Sequence, residues 1–207
     1  MTNILRLSII LALVTVISSW ILAEIYNVTK PAIELQKKAK TQAALKYVMP
    51  DADKIEPVEK MIPIKDNKGK VLYEKPVVEY YKAFNANGDL IGYAFKAEGP
   101  GYSSIVETMV GIDTTGTIKK IKIVSQKETP GLGALCENSE PFDGKKWSTE
   151  QFVGKKAENL KVDKDGGEIV SITGATITAR VITNSIKNKL EELFRSLDRE
   201  KMEKIGG

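Results

Sequence analysis

The stretch Ser171-Ile172-Thr173-Gly174-Ala175-Thr176-Ile177-Thr178 decides how the rest of the chain is read. Upstream, Asp165-Gly166-Gly167 predicts a turn, and Glu168 to Ser171 has the β-branched content of a short strand. Downstream, Val181, Ile182, Ile186, Leu190, Leu193, Phe194 and Leu197 recur at helical spacing, which predicts a helix from about Thr178 to about Arg199. A strand thus meets a helix at a corner of small and hydroxyl residues. Gly174 and Ala175 leave the backbone open to a second molecule, and the first amides of the helix, at its positive dipole end, favour a phosphate. Thr173, Thr176 and Thr178 offer three hydroxyls around that point. On spacing alone, capping the helix is the commoner use of such residues.

Composition narrows the chemistry. The chain has 207 residues, 42% of them hydrophobic, enough for one sizeable core. Its 31 Lys+Arg against 27 Asp+Glu are interspersed, and a net charge of +4 is too mild to imply nucleic acid. With no histidine, the commonest metal ligand and general base is absent, and no metal site is expected. The single Cys136 permits neither an intrachain disulfide nor a thiolate cluster and reads as a small buried apolar residue. Redox chemistry would have to come from a cofactor.

Leu7 to Ala23 carries no charge and is bounded by Arg6 and Glu24, with Trp20 and Tyr26 near its far end. As a helix it spans on the order of 25 Å, so residues 1–26 are expected to be an uncleaved membrane anchor. Pro31 is expected to open a second, amphipathic helix over residues 27–50, stopped by Pro50, and residues 51–207 to form an α+β domain. Asp51 to Lys75, rich in Pro, Lys and Asp, reads as irregular connection with one short strand at most. Two hairpins follow. Val77–Phe84 and Leu90–Ala97 flank Asn85-Ala86-Asn87-Gly88-Asp89; Ile105–Ile112 and Ile118–Val124 flank Asp113-Thr114-Thr115-Gly116. Gly99-Pro100-Gly101 is expected to break the second strand, and Ile118, Ile121 and Ile123 do not alternate strictly. Phe142, Trp147 and Phe152 read as part of a loop-rich cover with a short helix, and Leu160–Val162 as a further strand.

A second motif is Glu128-Thr129-Pro130-Gly131-Leu132-Gly133. By itself Pro130-Gly131 is a turn. Together with Thr173-Gly174-Ala175-Thr176, and in that order behind an anchor, it resembles the FMN-binding domain of the G subunit of Rnf complexes. The related C subunit of sodium-pumping NADH:quinone reductases carries the corner motif too. The resemblance covers most of the chain and implies an antiparallel sheet with a packed C-terminal helix. It implies FMN held by a phosphoester bond to Thr176, installed by a flavin transferase, with Thr173, Gly174, Ala175 and Thr178 around it. Glu128, Thr129, Pro130, Gly131, Leu132 and Gly133 would line the flavin from the second loop, two glycines letting backbone amides approach it. The family often has an aspartate where this chain has Val170-Ser171, and a histidine where it has Gln126. Implied partners are the D, A and E membrane subunits of a complex that oxidises ferredoxin, reduces NAD and moves Na⁺ or H⁺. Counting Arg6 against Lys30, Lys37, Lys38 and Lys40 would leave the domain in the cytoplasm, whereas the resemblance implies an extracytoplasmic domain on a single-pass anchor. The sister quinone reductase subunit, and a cofactor-free tethered binding module, are the alternatives.

Overall fold

The computed structural model describes residues 2–66, 69–141 and 146–205, so the aromatic reading of Phe142 lies outside the described residues. The chain forms two compact units, Met1–Gln42 and Ala43–Gly207. In the first, helix α1 (Thr2–Val48) begins; it holds the uncharged Leu7–Ala23 run, and its apolar side chains face outward. It is the one described helix long and apolar enough to cross a membrane. The expected break at Pro31 is absent: α1 is continuous through it. Proline there removes one amide donor, but the run after it, rich in Ala, Leu, Glu, Gln and Lys, carries the helix on to Val48, two residues before Pro50.

The second unit is an α+β domain. Five strands run as an antiparallel meander in the order β1 (Lys54–Lys65), β2 (Val71–Phe84), β3 (Leu90–Pro100), β4 (Ile105–Ile112) and β5 (Ile118–Ser125). Helix α2 (Thr176–Ile205) covers one face, starting two residues earlier than its periodicity suggests. Its buried Ala179, Ile182, Ile186, Leu190, Leu193 and Leu197 meet Tyr80, Phe95, Val110, Ile112, Ile121 and Ile123 of the sheet. Each buried Ile, Leu or Val side chain there contributes about 1.5–3 kcal/mol. The last turn of α1 serves the opposite face, where Ala44, Leu45, Val48 and Met49 join Ala83, Ala94 and Met109 in a smaller core. Lys120 and Lys122 both lie 5.1 Å from the Tyr47 ring. The packed domain therefore begins inside the segment expected to be a linking helix.

Both hairpins form where the loop residues place them. Asn85 Oδ1 accepts the amides of Asn87 and Asp89 at 3.0 and 2.8 Å, and Asp113 Oδ1 accepts those of Thr115 and Thr117 at 2.8 and 3.0 Å. The irregular spacing of Ile118, Ile121 and Ile123 is explained by a bulge. Ile112 pairs with Ile118 but Gly111 with Lys120, so Lys119 is an extra residue, and all three isoleucines reach the same core.

Three further expectations are corrected. The proline-rich Asp51–Lys75 stretch is mostly strand: β1 pairs with β2 from Lys54↔Phe84 to Lys65↔Val71. Pro57 and Pro63 are compatible with it because β1 is an edge strand, and Pro76 sits where β2 has passed the end of its pairing with β3. Gly99-Pro100 does not break β3, which pairs on to Pro100↔Ile105. The short strands expected at Leu160–Val162 and Glu168–Ser171 shrink to one parallel bridge, Val162↔Ile169. A row of 3₁₀ turns, Gly133–Glu137, Thr149–Phe152, Ala157–Asn159 and Asp163–Asp165, fills the space between β5 and α2. Gly154 and Lys155 of that row exchange backbone hydrogen bonds with Ile118 at 2.8 and 2.9 Å and so cover the start of the edge strand β5.

Candidate functional site

The two motifs, separated by some forty residues of cover, meet at the start of α2. Gly174 has φ +79°, a backbone conformation that favours glycine. A Cβ on it would lie 2.9 Å from Leu132 Cδ2, so the leucine of the upper loop packs directly over the glycine of the corner. The Ala175 amide donates to the Ile172 carbonyl at 2.9 Å, closing the turn, and Thr176 is the first helical residue. Its amide and those of Ile177 and Thr178 are the helix-end donors that lack intrahelical acceptors. Thr176 and Ala175 are half-buried, and Thr173 and Gly174 are exposed. Among the described residues neither the Thr173 nor the Thr176 hydroxyl has a protein hydrogen-bond partner.

The third hydroxyl differs. Thr178 is fully buried and donates to Glu128 Oε2 at 2.8 Å. Glu128 is 6% exposed. Its carboxylate also accepts the amides of Tyr102 at 3.2 Å and of Ser103 and Ser104 at 3.0 Å, and the Ser104 hydroxyl at 3.4 Å. Burial pushes this carboxyl up, and the Thr178 hydroxyl and the three amides more than reverse that, leaving its pKa below the ordinary value. Glu128 and Thr178 thus bind one another beneath the corner, while Thr129, Pro130, Gly131 and Leu132 form its exposed rim. Gly133 is buried against the Glu128 side chain. Gln126 folds onto the same loop. Its Oε1 accepts the Glu128 amide at 2.6 Å, and its Nε2 donates to Glu137.

Carboxylates also pin the other side of the corner. Asp163 accepts the hydroxyl and amide of Ser171, so an aspartate reaches this point although Val170-Ser171 holds none. Asp165 binds Arg180 through two bonds of 2.7 Å, tying the 3₁₀ turn to the second turn of α2. The Ser171 hydroxyl holds the Asp163 carboxyl below the usual range, and the Arg180 guanidinium does the same for Asp165.

Cys136 is fully buried, with its thiol pushed up to about 12 by burial and by the nearby Glu137 and Glu128 charges, so it is not a nucleophile. Trp147 is buried edge-on against Phe152 at 5.9 Å and is not placed to stack on a ligand. Sequence reasoning missed the Gly101–Ser104 turn, whose Tyr102 is 75% exposed beside the site. Its Gly-Pro-Gly-Tyr run signalled a tight turn, but nothing in it showed that a carboxylate twenty-odd residues later would bind its amides.

The corner fits an FMN phosphate. It offers an unpaired hydroxyl at a helix start and a backbone bared by a glycine. Exposed apolar side chains, Leu132 at 42% and Ile177 at 48%, lie beside it for an aromatic ring.

Comparison with known proteins agrees. The family model described as FMN-binding domain matches residues 101–191, and the one described as RnfG N-terminal region matches residues 1–48. The G subunit of the Na(+)-translocating ferredoxin:NAD(+) oxidoreductase complex of Acetobacterium woodii is 33% identical over 91% of this chain and 90% of its own. The G subunit of the proton-translocating ferredoxin:NAD(+) oxidoreductase complex of Clostridium ljungdahlii is 33% identical over 86% and 84%. The crystal structure of the C subunit of the Na(+)-translocating NADH-quinone reductase from Parabacteroides distasonis shares the fold, with TM-score 0.50 at 17% identity over 77% of this chain and 92% of that one. With matches to the RnfG N-terminal region and the FMN-binding domain, and with 91% of its length aligned to a relative at 33% identity, the chain belongs to the family of G subunits of ion-translocating oxidoreductase complexes.

Proposed function

We propose that this protein is the electron-carrier subunit of a membrane-bound, ion-translocating ferredoxin:NAD oxidoreductase, carrying FMN in a phosphoester bond to Thr176. The observation that supports it best is the packing of Leu132 over Gly174, which brings the Thr129–Gly133 loop to the corner that bears the free Thr176 hydroxyl. FMN bound there would supply electron transfer through its isoalloxazine ring. The chain's own residues do the rest. During maturation the Thr176 Oγ would attack the flavin-side phosphorus of a flavin dinucleotide held by a transferase: the hydroxyl proton is lost, the P–O bond of the phosphoanhydride breaks, and the nucleoside monophosphate leaves with the bridging oxygen. The amides at the start of α2 and the helix dipole lower the cost of the remaining phosphate charge. Thr173, Gly174 and Ala175 leave room for the phosphate, and Thr129, Pro130, Gly131, Leu132 and Gly133 border the ring. Glu128 and Thr178 hold these segments from below.

The corner is an open rim rather than an enclosed pocket, so non-covalent contacts would bury little of the ligand. A covalent tether then prevents its loss, which matters most outside the cytoplasm, where we place the domain. Residues 1–26 anchor it by a single pass, and the segment expected as a linker over residues 27–50 leads into the domain, whose packing already begins at Ala44. Its neighbours are then the D, A and E membrane subunits, and the coupled ion is Na⁺ or H⁺.

The test is flavin fluorescence in a denaturing gel, with the full chain made beside its transferase as wild type and as Thr176→Val. A band in wild type that the substitution abolishes is the expected result. A band in both moves the attachment to Thr173 or another hydroxyl. No band in either, with an active transferase, overturns the flavoprotein reading in favour of a tethered binding module.

A further inference from the structure

We infer that Glu128 is a positioning residue whose buried carboxylate locks the Gly101–Ser104 turn, the Thr129–Gly133 loop and the first turn of α2 into one seat for the flavin ring. The inference rests on the corner being the flavin site.

Two chain segments distant in sequence end on this one side chain. Oε1 takes the Ser103 and Ser104 amides and the Ser104 hydroxyl; Oε2 takes the Tyr102 amide and the Thr178 hydroxyl. The backbone of Glu128 itself starts the loop that carries Leu132. Two glycines make room for the knot: a Cβ on Gly101 would lie 2.6 Å from Oε1, and one on Gly133 2.7 Å from Oε2. Among the described residues no lysine or arginine pairs with this carboxylate, so its charge is held by neutral donors alone, as a bound anion is held in a nest of amides.

Each pinned segment carries an exposed apolar side chain next to its point of attachment. Tyr102, itself a donor to Glu128, is 75% exposed; Leu132 precedes Gly133; Ile177 precedes Thr178. A planar ring tethered at Thr176 needs such flat apolar contacts held in fixed relation. The tripod that fixes them is Glu128. A glutamine of the same shape would, in either flip, turn its NH₂ toward at least one backbone amide, which cannot accept it. The ester bond is made at Thr176, which does not touch Glu128, so the flavin that is attached in the variant should sit loosely.

The experiment uses the full chain in detergent, loaded by its transferase, as wild type, Glu128→Gln and Thr178→Val. Each readout is taken on the flavin-loaded fraction and normalised to its flavin content. For Glu128→Gln the anisotropy of the covalent flavin should fall and its iodide quenching constant rise at least twofold; Thr178→Val, which removes a single donor, should move both in the same direction by less. Wild-type anisotropy and quenching in both loaded variants would overturn the inference, whatever their melting temperatures. If Glu128→Gln does not fold, Thr178→Val decides alone. The lock is also read without flavin. In a Thr176→Val background, Glu128→Gln should speed amide hydrogen exchange in residues 102–104, 129–133 and 176–179 together, by about tenfold or more. Faster exchange confined to residues 102–104 would overturn it. Absence of flavin from loaded wild type would instead overturn the site reading itself, and the exchange experiment separates the two failures.

Discussion

At Glu128 and Asp163 a single proton decides whether a segment is held. Both carboxyls have folded-state pKa values below those of the unfolded chain, Glu128 because its hydrogen bonds outweigh its burial and Asp163 chiefly through the Ser171 hydroxyl. A group depressed in this way adds stability that is fully present above its unfolded pKa and is lost as the pH falls through its folded one. The melting temperature should therefore be flat from neutral pH down to about 5 and drop below that. In Glu128→Gln the drop should be shallower, since one of the titrating groups is gone. Thermal melts at a series of pH values compare the two slopes, and equal slopes would mean that Glu128 is not ionised where it sits. Gly174 is constrained by its own backbone. Gly174→Ala puts a Cβ on a left-handed residue, at a cost of about 1–2 kcal/mol, while the Leu132 side chain can swing aside. Urea unfolding should show a loss of that size, and no loss would mean that the turn can adopt another conformation.

The elements divide into those whose reasons are local and those whose reasons are not. Helix α2 was legible because its six buried apolar residues repeat at helical spacing and answer to one sheet face. The hairpins were legible because Asn85 and Asp113 build their turns from neighbours in sequence. β1 was not: its two prolines argue against a strand until it is known to lie at the edge, which is a fact of topology. The extra residue at Lys119, likewise, is visible only against its partner strand. In the site the acceptor Thr176 and the glycine loop were readable as motifs, but the bond between Glu128 and Thr178 spans fifty positions and left no spacing to recognise. The element most exposed to a truncating substitution is α2. Ile186, fully buried between the helix and the sheet, should cost about 2–5 kcal/mol as Ile186→Ala, because the cavity opens in the one layer that joins them. Denaturant unfolding of the full chain in detergent measures it; a cost under about 1 kcal/mol would mean that the face can collapse to fill the space.

For the whole molecule the open question of mechanism is which side of the membrane the flavin faces, because that fixes which electron donors and acceptors can reach it. The positive charges after Leu7–Ala23 favour a cytoplasmic domain, whereas the function proposed above places it on the opposite side. The chain carries the means of deciding. Its only cysteine is fully buried and its thiol is raised to about 12, so it will not react with a maleimide while the domain is folded. A cysteine placed at an exposed loop is therefore the sole reporter. Thr114 sits at the tip of the β4–β5 hairpin, exposed and away from both motifs, and Thr114→Cys should leave fold and flavin loading unchanged. In spheroplasts, a membrane-impermeant maleimide should label Thr114→Cys before permeabilisation, and wild type should stay unlabelled throughout. Labelling only after permeabilisation would put the domain in the cytoplasm, and the argument that the covalent tether guards against loss of FMN from the extracytoplasmic side would fall with it.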